Sequence, residues 1–220
     1  MKRINRTPKP AARARRPAPA APHADDTRAR IEAAARRLFA EHGFSATSVR
    51  DITAAAGVNL AAVSYHFTSK DLLYHALLRA IMGPLAHTIG ELARREAPPA
   101  DRLEWMVRAI FAHIRANPDM PSFMMRELSL GRTPSAPIVE MMGRILPAVS
   151  GVIAQGQQSG AIRAGDPILL TFSVIAQPIH LYLARGAIAA VAGLDVNDAQ
   201  SLERIVEHVV TTVRRAVEAR

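Results

Sequence analysis

Apolar positions recur at helical spacing along most of this chain. Towards the C-terminus, Leu202, Ile205, Val206, Val209, Val210, Val213 and Val217 form one stripe, with Glu203, Arg204, Glu207 and Arg214 off it. Such a stripe buries itself against something, but one helix does not say whether the partner is its own core or a second chain. Near the other end, Ile31, Ala34, Ala35, Leu38 and Phe39 keep the same period and predict a helix from Asp26 to about His42. Asp25, Asp26 or Thr27 can cap it, and Gly43 stops it. Thr47 or Ser48 caps a short second helix to about Ala56, with Asp51 placed as in a capping box. Gly57 breaks that helix, Asn59 caps a third over Leu60 to Phe67, and Ser69 caps a fourth from near Lys70 to about Glu96. The proline pair at 98–99 ends this block. Further helices are expected at about 101–116, 119–130, 135–159, 166–185 and 198–219, punctuated by Asn117-Pro118, Gly131 with Pro134, Gly160 to Gly165, and Gly193 to Asn197. Period-two alternation is missing, so the pattern predicts an all-α chain.

The stretch "TSVRDITAAAGVNLAAVSYHF", from Thr47 to Phe67, stands out. Ile52 and Ala56 face inward on one short helix, Gly57 turns the chain, and Val58 and Val63 close the pair onto the first helix. Two short helices joined by a tight glycine turn make a helix-turn-helix. The second of them would expose Asn59, Leu60, Ala61, Ala62, Ser64 and Tyr65. Catalysis finds no support: a nucleophile needs an oriented base and a metal needs converging ligands. His66 has only Lys70 one turn away, the eight histidines are scattered, and no phosphate loop or carboxylate pair is visible. No cofactor, metal or enzyme activity is therefore expected.

The stretch "RARIEAAARRLFAEHGFSATSVRDITAAAGVNLAAVSYHFTSKDLLYHAL" resembles the N-terminal domain of TetR-type transcriptional regulators. The matching elements are "AARRLFAEHGF", "TSVRDIT.AAGV" and "YHF.SK..L", within residues 28 to 78, about a quarter of the chain. The resemblance implies a three-helix helix-turn-helix domain over 25–70 and a helical ligand-binding and dimerisation core over 71–220, preceded by an arm over 1–24. It implies a cytoplasmic homodimeric repressor on a palindromic double-stranded DNA operator, released by an apolar small-molecule effector that moves the fourth helix. Carried over residue by residue, Thr47 and Ser48 would meet phosphate at a helix N-terminus, and Arg50 would reach phosphate or a groove edge. Asn59, Leu60, Ala61 and Ser64 would face the groove, and Tyr65, His66 and Lys70 would grip the backbone. Leu60 stands where a Lys or Arg is frequent and Ser64 where a Tyr is frequent. Direct readout is therefore thin: Leu60, Ala61 and Ala62 could touch thymine methyls and Asn59 an adenine, leaving part of the specificity to DNA shape.

The larger block is similar to the family's cores only in layout. Six of the eight methionines lie between residues 106 and 142, and flexible thioethers adapt to varied apolar ligands. Candidate pocket residues are Trp105, Phe111, Met120, Phe123, Met124, Met125, Met141, Met142, Phe172 and Ile175, with Arg126, Glu127, Gln177, His180 and Tyr182 as polar members. Ordinary core filling remains an equal reading of the apolar ones. Arg126 could hold a ligand carboxylate or pair with Glu127 or Asp119. The resemblance implies that the last two helices meet their copies in a second subunit, which makes Ile179, Leu202, Ile205, Val206, Val209, Val210 and Val213 the expected dimer face.

Charge adds one feature. The formal net charge is +9, but seven cations lie between Lys2 and Arg16, before any acidic residue; without them 21 basic face 19 acidic residues, a net of +2. Prolines at 8, 10, 17, 19 and 22 keep that arm extended, either as a solubilising tail or as an aid to DNA binding. The arm lacks the apolar stretch of a secretory signal. The uncharged run from Pro167 to Ala184 is barely long enough for a bilayer and reads better as a buried helix than as a membrane span. There is no cysteine, which excludes disulfides and thiolate sites.

Overall fold

Glycines and short capping side chains set most of the helix ends. The computed structural model describes residues 24–128 and 133–219, so the arm lies almost wholly outside it. α1 (Ala24–His42) stops at Gly43, whose φ of 86° is left-handed and whose N–H donates to Phe39 O at 3.0 Å. Ser48, rather than Thr47, caps α2 (Val49–Ala56); it accepts from Asp51 N while the Asp51 carboxylate accepts from Ser48 N. Gly57 follows with φ 63°. Asn59 caps α3 (Leu60–Phe67) by accepting from Ala62 N, and Ser69 caps α4 (Lys70–Arg94) by accepting from Leu72 N. Ile31, Ala35, Phe39, Ile52 and Val63 are buried where α1, α2 and α3 meet.

The second block contains α5 (Pro99–Ala116), α6 (Met120–Leu128), α7 (Ala136–Gln158), α8 (Pro167–Leu183), α9 (Arg185–Ala192) and α10 (Ala199–Val217). Pro99 sits in the first turn of α5, where a missing N–H costs no helical bond, so the proline pair opens α5 after α4 has already stopped at Arg94. α4 runs along α7, α5 packs against α4, α7, α8 and α10, and α6 meets α4 and α8. Buried side chains form one continuous core from Ile31 to Val217. Among the described residues there is no strand, only an isolated bridge between Ile162 and Glu218 that ties the α7–α8 turn to the end of α10. The chain is all-α, as the periodicity predicts.

Three details depart from that prediction. α9 is an extra helix; its "RGAIAAVA" carries a glycine and no polar period, so the pattern gives no sign of it. α8 is only half buried: Leu170, Thr171, Val174, Pro178 and Tyr182 face the core, while Ile168, Leu169 and Phe172 stay exposed. α7, with a mean hydropathy of 1.4, is the described helix long and apolar enough to cross a bilayer. It packs on α4, α5 and α8 instead. Within α4, Pro84 withholds an N–H, and His113 of α5 donates to the nearby Ile81 carbonyl at 2.8 Å.

Candidate nucleic-acid interface

The helix-turn-helix is held from behind by side chains that leave the outer side of α3 free. Val63 and Phe67 anchor α3 inward. Arg30 of α1 donates to Ala56 O at 2.6 Å and Gly57 O at 2.8 Å, closing the turn between α2 and α3. Arg28 lies over the Phe67 ring at 4.8 Å. These two arginines are missed by sequence reasoning, because only the crossing of α1 behind α2 and α3 aims them at the turn. Outward stand Asn59, Leu60, Ala61, Ser64 and Tyr65, with Leu60 52% and Tyr65 81% exposed. Tyr65 is thus scarcely packed within this chain, and with Leu60 it gives the outer side of α3 an apolar and aromatic surface. His66 is half buried, edge-on to Tyr65 at 5.0 Å between ring centres. Arg50 is exposed on α2.

Two expected phosphate donors are turned inward. Thr47 is 2% exposed, and its hydroxyl donates to Gly43 O at 2.8 Å. Lys70 lies over the Phe44 ring and donates to Phe44 O at 2.9 Å and Thr47 O at 3.0 Å. Its ammonium satisfies the carbonyls of the α1–α2 turn, which no helix can satisfy. Ser48 stays exposed, but its hydroxyl is held by Asp51, at 2.7 Å and within the cap. The Ser48 hydrogen bonds keep the Asp51 carboxyl below its ordinary range, so a carboxylate already occupies the positive end of α2.

A wholly apolar cavity of about 50 Å³ lies behind this head, lined by Leu85, Ile110, Met120, Met124, Met141, Met142, Ile145, Leu146, Ile175 and Ile179. Of the expected pocket residues it brings together Met120, Met124, Met141, Met142 and Ile175. Phe111 packs toward Tyr182, 6.3 Å between ring centres. Phe123 points from α6 toward Tyr74 of α4, at 6.1 Å. Trp105 lies under Arg95 at 5.1 Å. Phe172 and His180 face outward, and Gln177 donates back to Ser173 O. Arg126 is exposed and donates to Ala40 O and Glu41 O at the end of α1 rather than to Glu127 or Asp119. Helical period places a residue on a side of its helix; it does not say which neighbour that side meets.

The C-terminal stripe is also corrected. Ile205, Val209, Val210 and Val213 are buried in this chain's own core, against α5 and α8, with Leu202 and Val206 half buried beside them. Arg214 reaches Asp101 and Glu104 of α5, and Arg108 reaches Glu207, so ion pairs flank the same contact. Ile179 lines the cavity instead. The exposed apolar residues of this region are Ile168, Leu169 and Phe172 on α8 and Val191 on α9.

Comparison with known proteins places this arrangement. The model described as bacterial regulatory proteins, tetR family, matches residues 31–77, and that for the tetracyclin repressor-like C-terminal domain matches residues 99–213. The chain belongs to the TetR family. Its relatives are regulators rather than enzymes. The transcriptional dual regulator CecR of Shigella flexneri is 32% identical over 178 residues, 81% of this chain and 70% of that protein. The transcriptional repressor AcnR of Corynebacterium efficiens is 26% identical over 198 residues, 86% and 94% of the two chains. The solved structure of the ketosteroid transcriptional regulator KstR2 of Mycobacterium tuberculosis shares the fold, with a TM-score of 0.69, 21% identity and coverage of 88% of this chain and 95% of that one. This TetR-family chain is thus a DNA-binding transcriptional regulator, with its helix-turn-helix in α2 and α3.

Proposed function

We propose that this regulator is an effector-responsive repressor that binds a palindromic operator as a homodimer in the cytoplasm. The observation that carries the reading is the outer side of α3, where Asn59, Leu60, Ala61, Ser64 and Tyr65 are exposed on a helix fixed from behind by Arg28 and Arg30. Leu60 and Ala61 suit thymine methyls; the Asn59 amide nitrogen is free of the cap that its oxygen makes. Arg50, Tyr65 and His66 are the candidate backbone contacts. A lone head of this size reads few base pairs, and a twofold pair reads two half-sites. The exposed apolar residues of α8 and α9 supply the surface for the second copy.

The effector reading rests on the apolar cavity. Ligand pockets commonly reach about 300 Å³ or more, so this one would have to open. Its methionines give it the means, since an unbranched thioether changes shape at low cost. The small volume equally favours the alternative, a DNA-binding dimer with no small-molecule response. The test is direct: select duplexes from a random pool, identify a twofold-symmetric site, and screen apolar compounds for release of it. Specific retention of a palindrome supports the operator reading. Selection of no sequence sinks it, and release by no compound leaves the alternative in force.

A further inference from the structure

A second cavity, of about 460 Å³ and open to solvent, lies where the α1–α2 turn meets α4 and the approach to α7. It shares no lining residue with the apolar cavity, and its size suits a small molecule. Part of its wall is cationic. Arg126, exposed on α6, has no carboxylate partner among the described residues and donates only to two neutral carbonyls, Ala40 O at 3.2 Å and Glu41 O at 3.4 Å. In the same wall α7 begins without a side-chain cap, and the buried Ser135 Oγ has no hydrogen-bond partner among the described residues. A helix N-terminus left open in this way favours a negative group. Another part of the wall is anionic. Asp71, exposed in the first turn of α4, has no ion-pair partner among the described residues. Glu127 accepts from the Tyr74 hydroxyl at 2.9 Å and from Ser135 N at 2.8 Å, both neutral donors. Phe44, with its ring 4.9 Å from that of Tyr74, and Ala46 supply apolar surface to the same cavity, and His42 and His75 add ring nitrogens.

We propose that this cavity is a second ligand site, for a small zwitterion: an amino carboxylic acid whose carboxylate meets Arg126 and whose ammonium meets Asp71 and Glu127. A simple anion would find Asp71 and Glu127 facing it with like charge, and a simple cation would find Arg126. A ligand that carries both signs satisfies both parts of the wall, with a short carbon chain against Phe44 and Ala46. An arginine suits the carboxylate end, because its guanidinium offers two parallel hydrogen bonds. The carboxylate of Glu127 is available to an ammonium at neutral pH: burial raises its pKa, but the bonds from Ser135 and Tyr74 outweigh that and hold it below its ordinary range. The site stands apart from the apolar cavity and does not rest on the effector-responsive reading.

Three probes of equal chain length test the assignment on the full chain without DNA: γ-aminobutyrate, butyrate and n-butylamine. The standard α-amino acids extend the panel to a shorter spacing between the two charges. Titration followed by calorimetry or NMR is expected to show saturable binding of an amino carboxylic acid. It should bind about tenfold or more tighter than butyrate or butylamine, the usual weight of one charge-assisted hydrogen bond. Arg126→Gln is expected to remove the advantage over butylamine, and Asp71→Asn to reduce the advantage over butyrate. Ala46→Trp fills the cavity from the exposed α1–α2 turn and is expected to abolish binding; it decides the matter if a charge variant fails to fold. Binding of butyrate or butylamine as tight as that of the zwitterion would overturn the proposal. So would zwitterion binding that survives both Arg126→Gln and Ala46→Trp, or saturable binding of no amino carboxylic acid in the panel. Release of operator by apolar compounds reads the other cavity, so this site and the effector reading can fail separately.

Discussion

At the scale of single residues, Lys70 and Tyr65 separate two kinds of conservative-looking polar position. Lys70 donates to two carbonyls of the α1–α2 turn, while Tyr65 touches little and is 81% exposed. Lys70→Ala leaves both carbonyls without that partner and is expected to cost about 1–3 kcal/mol of stability. Thermal melting then shows a lower Tm, and the salt dependence of DNA binding keeps its slope. Tyr65→Ala is expected to do the reverse: an unchanged Tm with weaker binding to every duplex, since a backbone contact carries no sequence information. If Tyr65→Ala binds DNA like the parent chain, α3 does not approach the backbone through that residue. Asn59 lies between the two cases, because its oxygen caps α3 and its nitrogen is free. Thr47 resembles Lys70, and Thr47→Val tests the α1–α2 turn rather than the interface.

Among the elements, α10 and α8 exchange the parts that periodicity suggests for them. Val209 on α10 is 1% exposed against this chain's own core, whereas Leu169 on α8 is 67% exposed. Val209→Asp therefore buries an uncompensated charge and is expected to cost roughly 3–5 kcal/mol, seen as loss of folded protein. Leu169→Asp leaves the fold and Tm intact but converts the proposed dimer to monomer in sedimentation. A fully dimeric Leu169→Asp would move the interface elsewhere. α6 has its own pH signature through Glu127. Burial raises this carboxyl's pKa, but the hydrogen bonds from Ser135 and Tyr74 outweigh it and hold the group below its ordinary range. A lowered folded pKa stabilises the protein above the unfolded value, about 4.3, and that contribution fades as pH falls through the folded value. Glu127→Gln is accordingly less stable than the parent at pH 7, and the difference in Tm shrinks below about pH 4. A constant difference down to about pH 3 would mean that the carboxylate contributes nothing at that junction.

For the molecule as a whole, charge and connectivity matter more than any one side chain. Seven cations precede the first acidic residue, and they lead directly into the helix that carries Arg28 and Arg30. An extended Pro-rich arm spans roughly 3 Å per residue, enough to follow phosphates away from α3. Deleting residues 2–22 is expected to lower the salt slope of log K by about 0.7–0.9 for each phosphate that the arm neutralises. An unchanged slope would make the arm a solubilising tail. The head and core are also joined at several places: by α4, by Arg36 with Asp119, and by Arg126 on the end of α1. A ligand response needs such a junction, because two sites influence each other only through a shared change of state.

What the chain alone determines is local. Caps at Ser48, Asn59 and Ser69, left-handed glycines at 43 and 57, and the period of apolar positions specify helices because each depends on residues within a turn or two. The TetR motif is legible for the same reason: residues 28 to 78 form a compact unit whose pattern is contiguous in sequence. The outward residues of α3 follow from that unit. Direction beyond it is a matter of tertiary structure. The α10 stripe announces burial, but only the positions of α5 and α8 assign the burial to this chain's own core. Lys70 and Thr47 look like phosphate donors until the α1–α2 turn brings unsatisfied carbonyls to them. Arg36 and Asp119 are 83 residues apart, and no period or spacing connects them. Side chains distant in sequence find their partners through how the helices cross, and that crossing is settled by the packing of the whole core.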